Sequence, residues 1–129
     1  MPGIKIHCKD CRELLGEEFP EVHRWLDQYA KDFPPPVFFD YHRTILHNSY
    51  GLSMICAKWG EKAYEAGKLH LARDYDDGTP IERLPKLVDR AIIWFNDPEN
   101  MELLFKPYYM SVWEECLIGL LEENRDDDV

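Results

Sequence analysis

Apolar side chains recur at three- and four-residue intervals along almost the whole chain, and nowhere do they alternate over the length of a strand. That spacing gathers them on one face of a helix and leaves no segment patterned for a sheet. Val22, Leu26, Tyr29 and Phe33 make one such stripe; Tyr109, Trp113, Cys116, Leu117 and Leu120 make another. The expected fold is therefore all-α, a single-domain bundle of about five to seven helices.

Helix signals divide the chain. A first helix over 7–16 would end at Gly16; an extended stretch at Ile4–Ile6 would have no partner strand. Pro20 and Glu21 suit the first turn of a helix reaching 32, which the run DFPPPVF breaks. A long helix at about 38–59 follows, with Phe38, Tyr41, Ile45, Leu52, Cys56 and Trp59 on one face and Tyr50 and Met54 nearly opposite. Apolar groups on two sides make it the expected centre of the bundle and its most buried element. A helix over 61–76 comes next. Thr79-Pro80-Ile81-Glu82 then matches a capping box for a helix to Phe95, with Pro85 either kinking it or marking its start. Asp97-Pro98 announces a short helix, and the last one spans about 108–123. Residues 1–124 read as one helical domain and 125–129 as an acidic disordered tail.

Composition excludes several function classes. Of 129 residues 45% are apolar, but the longest apolar runs, such as AIIWF at 91–95, are far too short to cross a membrane. The N-terminus has no apolar signal-like region, so a cytoplasmic location is expected. The formal charge is −10, of which residues 122–129 hold −4, and nucleic acid is not an expected partner. Cys56 and Cys116 sit among apolar neighbours and read as core. Cys8 and Cys11 form a lone C-x-x-C without the second pair of a zinc ribbon, and are read as structural.

The candidate chemistry lies in the five histidines, His7, His23, His42, His47 and His70. Two of them open the same pattern, His23-x3-Asp27 and His70-x3-Asp74. Residues four apart share a helix face, which suits two ligands to one metal or a carboxylate orienting a histidine. His42 and His47, five apart, diverge by about 140° and cannot easily serve one centre. His47 shares its side with Tyr50 and is the favoured ligand or base, while His42 packs. The expected metal ligands are therefore His23, Asp27, His47, His70 and Asp74. His7, His42, Arg43 and Tyr50 are the expected second layer, with the Tyr50 hydroxyl turned to the site. No nucleophile elbow, phosphate loop or dinucleotide fingerprint is present.

In order, His7, His23-x-Trp25-x-Asp27, His42-Arg43-x3-His47-x3-Gly51 and His70-x3-Asp74, followed by Leu84-Pro85 and an aromatic-ended helix, resemble a family of small uncharacterised bacterial and phage helical proteins, a domain of unknown function. The resemblance covers about residues 7–95. It departs at PPPVFFDY before His42 and at residues 96–129. It implies that His7, His23, Asp27, His42, Arg43, His47, His70 and Asp74 form a polar core, and it brings no established activity.

Two functions follow as expectations. The first is a metal-binding protein acting as a metal-dependent hydrolase. A divalent transition metal (zinc, iron, manganese or nickel) would lower the pKa of a bound water toward ~7, and Arg43 or Arg73 would receive a small anionic substrate. The second is a non-catalytic interaction or regulatory protein, a phage-type accessory, whose histidines and aspartates cross-link helices and whose 108–123 helix forms a homo-oligomer.

Overall fold

The structure is a computed structural model that describes residues 3–29, 46–97, 99–100 and 110–127. It is all-α: α1 (Ile4–Leu15), α2 (Pro20–Leu26), α3 (Ser49–Trp59), α4 (Glu61–Tyr75), a 3-10 turn (Ile81–Arg83), α5 (Leu84–Asn96) and α6 (Met110–Asp127), with no strand among the described residues. His42, Arg43, the proline run and most of the expected short helix after Pro98 lie outside the described residues.

The helix boundaries follow local chemistry. α1 starts at Ile4, so the Ile4–Ile6 stretch is helical, and it closes at Gly16, whose N–H returns to the Arg12 carbonyl (3.1 Å). Pro20 opens α2 as expected. At the start of α5 the capping box does not form. Pro80 leads only into the 3-10 turn, and Pro85 stands in the first turn of α5, where its missing N–H costs nothing. The last helix continues to Asp127, three residues into the expected tail.

The long helix expected at 38–59 is not continuous. Asn48 is extended (φ −153°, ψ −178°), and its side chain accepts the Gly51 N–H at 3.0 Å, so it caps a new helix beginning at Ser49. The central element is instead α4, which packs against α1, α2, α3 and α5. Eight of its residues are buried, among them Ala63, Ala66, Gly67 and Ala72. Small side chains let neighbouring helices approach: a Cβ on Gly67 would meet Ile55 Cδ1 and Leu52 Cδ2 at 3.0 Å. α3 is less buried, with Tyr50 44% and Trp59 40% exposed. Gly60 joins α3 to α4 at φ 95°, a left-handed backbone that a side chain would strain.

The buried apolar residues form one core, drawn from α1 (Cys11), α2 (Val22, Leu26), α3 (Leu52, Ile55), α4, α5 (Ala91, Phe95) and α6 (Cys116, Leu120). Each fully buried leucine contributes about 1.5–3 kcal/mol of transfer free energy. No described helix is long and apolar enough to cross a membrane.

Candidate metal centre

Four histidines converge on one face of α4. His7 comes from α1, His23 from α2, His47 from the break before α3 and His70 from α4 itself, and none is more than 1% exposed. Imidazoles lose hydration on burial, so they persist only where polar partners replace water. The partners are two carboxylates. Asp74 follows His70 by one turn and its side chain is fully buried; Asp27 caps the C-terminus of α2 and its side chain is 24% exposed.

The contacts centre on two carboxylate oxygens. Asp74 Oδ2 lies 2.9 Å from His47 Nε2 and 3.2 Å from His70 Nε2. Asp27 Oδ1 lies 3.5 Å from His47 Nε2 and 3.4 Å from His70 Nε2. Ligand atoms 2.0–2.2 Å from one ion in a tetrahedron stand about 3.3–3.6 Å apart. The two Asp27 distances fall in that range and the two Asp74 distances just below it, and one donor atom from each of Asp27, His47, His70 and Asp74 lies within 4.8 Å of all the others. This buried His/Asp cluster can hold a metal ion. His70 Nε2 is the telling atom: it is buried, faces both carboxylates, and makes no properly directed hydrogen bond.

The remaining two histidines support this group. His7 lies flat on His70, with ring centroids 3.6 Å apart and planes 9° apart, and its Nε2 is 3.3 Å from Asp74 Oδ1. His23 Nδ1 meets His70 Nδ1 at 3.0 Å, and His23 Nε2 meets the Glu18 carbonyl at 2.9 Å. His7, His23 and His70 also offer three nitrogens within 4.8 Å. Their rings, however, are stacked within 22° of parallel, so their in-plane lone pairs do not converge on one point.

The charges of the metal-free cluster follow from burial against these contacts. Burial depresses His23 to about 3, helped by the neighbouring His70 and His7. Burial likewise pulls His47 down to about 4 against the pull of Asp74, and lowers His7. His70 goes the other way: burial opposes its charge, but Asp74 and Asp27 together raise it to about 9. Burial would raise Asp74, yet the charge of His70, the bond from His47 and the nearby His7 nitrogen hold it well below the usual carboxylate value. At neutral pH the cluster thus carries one imidazolium between two carboxylates.

Set against the expected site, the structure brings His7, His23, Asp27, His47, His70 and Asp74 together. Tyr50 belongs to neither ligand group and is 44% exposed. His42 and Arg43 are outside the described residues. Arg73 is not available to a substrate: its Nε and Nη2 donate to the two oxygens of Asp10 at 2.8 and 3.0 Å, and its Nη1 donates to the carbonyls of Asp77 and Thr79. Asp10, 63 residues away, carries no local signal of this pairing in the sequence. Cys8 and Cys11 are free thiols outside both groups, and burial pushes Cys11 up to about 12, so it stays protonated.

A cavity of ≈ 220 Å³ beside the cluster is lined by Asp74, Tyr75, Trp94 and Phe95, and the Phe95 ring packs against His47 at 5.8 Å. No protein-family model matches the chain, and neither the curated proteins nor the solved structures contain a match to it.

Proposed function

We propose that this is a metal-binding helical protein in which Asp27, His47, His70 and Asp74 hold one divalent transition metal, and that the metal serves a hydrolase-like reaction. The observation that carries the reading is the buried His70 Nε2, set 3.2 and 3.4 Å from two carboxylate oxygens without a directed hydrogen bond. A proton there supplies charge but bonds neither oxygen well; an ion at the common centre would engage all four donors. Two imidazoles with two carboxylates suit zinc, iron, manganese or nickel. A metal so held supplies Lewis acidity to a bound water or carbonyl. The partly exposed Asp27 brings the centre to solvent, and an aromatic-walled cavity lies beside Asp74.

One observation favours a second reading. The His70 imidazolium and the two carboxylates already balance much of the buried charge, so the same residues can serve as a metal-free cross-link between α1, α2 and α4. Metal analysis of tag-free protein separates the two. Near-stoichiometric transition metal, lost in His70→Ala and in Asp74→Asn, supports the metal centre. Absence of metal after growth in medium supplemented with zinc, iron, manganese and nickel overturns it.

A further inference from the structure

We propose that His23 is a positioning residue that fixes the tautomer of His70 so that its Nε2 lone pair points into the metal centre, and that His23 is not itself a ligand. The inference rests on the metal-centre reading above and assigns the hydrogen-bond chain behind it. It departs from the sequence expectation, in which His23 binds the ion directly.

The Glu18 carbonyl oxygen can only accept, and His23 Nε2 lies 2.9 Å from it, so Nε2 carries the hydrogen. A neutral imidazole has one N–H, which leaves His23 Nδ1 as an acceptor. That atom is 3.0 Å from His70 Nδ1, a distance two bare nitrogens would not hold, so His70 Nδ1 carries the hydrogen and donates. His70 Nε2 is then the nitrogen left to bind metal, and it is the one facing Asp27 and Asp74. Backbone carbonyl, His23 and His70 thus form a relay whose polarity is set at its backbone end. Such outer partners orient a ligand imidazole and raise its basicity.

The local fold holds the relay in place. Phe19, next to Glu18, adopts a left-handed conformation (φ 54°, ψ 49°), unusual for a bulky residue, and its carbonyl accepts the Val22 and His23 N–H groups at 3.1 and 3.4 Å. The backbone that accepts from the ring of His23 is therefore tied to the helix that carries it. His7 covers one face of the His70 ring at 3.6 Å. His23 itself has one nitrogen on Glu18 and the other on His70, so neither is left for an ion.

The test uses the full chain, stripped of metal and titrated with zinc against a chromophoric chelator. His23→Leu removes both bonds and is expected to weaken zinc binding on the order of 10–100-fold. In His23→Gln the side-chain carbonyl can accept from His70 Nδ1–H while the amide donates to Glu18, so affinity should stay near wild type. Nitrogen-15 NMR of zinc-loaded wild type should show hydrogen on His70 Nδ1 and on His23 Nε2; this readout stands even if His23→Leu does not fold. Gln as weak as Leu, or Leu as tight as wild type, would overturn the role of His23 and leave the metal centre standing, whereas hydrogen on His70 Nε2 in the loaded protein would remove His70 as a ligand and overturn both. Wild type that takes up no zinc, nor any other of the four metals, would overturn the metal centre first.

Discussion

His70 is the residue on which the charge of the cluster turns, and its neighbours give the metal-free protein a pH dependence of definite sign. Its pKa is raised from 6.5 to about 9, so its contribution to stability is complete below 6.5 and is lost as pH rises through about 9. His23 and His47, lowered to about 3 and about 4, act oppositely. They remain neutral in the fold while the unfolded chain takes up protons below 6.5, so stability falls as pH drops through that range. Asp74, held below its usual value, adds a further loss at the acid end. In the presence of EDTA, unfolding midpoints should therefore peak near pH 6.5 and decline on both sides. The limiting slope is about 1.4 kcal/mol per pH unit for each group; a flat profile from pH 4 to 9 would contradict these assignments. A bound metal would change the account, because His70 would have to lose its Nε2 proton to ligate. Zinc binding at pH 7 should release about one proton, read as the buffer dependence of the calorimetric heat.

At the scale of single elements, the helix break before α3 shows what periodicity hides. Apolar positions continue across 45–52, so the pattern reads as one helix, yet the run His47-Asn48-Ser49 also contains a cap, and the cap prevails. The turn brings the Leu46 carbonyl against Gly51, where any Cβ would run into that oxygen. Gly51→Ala should therefore destabilise by at least the ~1–3 kcal/mol typical of overpacking and displace His47, lowering metal content together with the denaturation midpoint. The C-terminal end of α4 depends on a different device. The Arg73–Asp10 pair, 6% and 3% exposed, ties α4 to α1 through two parallel bonds. Asp10→Ala would strand a buried guanidinium at a cost of about 3–5 kcal/mol, measurable by urea unfolding. Arg73→Lys should recover little, since an ammonium cannot span both carboxylate oxygens and the two carbonyls.

At the scale of the whole molecule, the sequence disclosed the class of the fold and most of the members of the site, but not their roles. Helical spacing and proline positions were sufficient for an all-α chain. Two copies of His-x3-Asp pointed to His23, Asp27, His70 and Asp74, but identical spacing led to different geometry. His70 and Asp74 lie one turn apart within α4 and face the same centre. Asp27 sits at the end of α2, so its carboxylate reaches His47 and His70 while the His23 ring turns toward Glu18. A linear pattern cannot encode that divergence, because it depends on where the helix stops and on which nitrogen carries a hydrogen. The centrality of α4 was hidden for a related reason: its Ala and Gly residues score weakly as apolar but permit close packing. Because the cluster draws on α1, α2, the start of α3 and α4, an ion bound there would stabilise the assembled bundle as a unit. A ligand bound only by the folded state adds RT ln(1 + [L]/Kd), about 2.7 kcal/mol at a hundredfold excess over Kd. For a domain of this size that corresponds to roughly 10 °C in Tm. Wild type should therefore melt about that much lower after equilibration with EDTA, and zinc or manganese should restore it. Asp74→Asn should melt at one temperature with or without chelator, since a neutral amide neither balances the ion nor holds His70 charged. Asp27→Asn keeps the buried Asp74 and should fold well while binding metal more weakly, so its chelator-dependent shift should be reduced rather than abolished. If wild type melts identically with and without EDTA while His70→Ala and Asp74→Asn still lose stability, the cluster is a metal-free cross-link between helices.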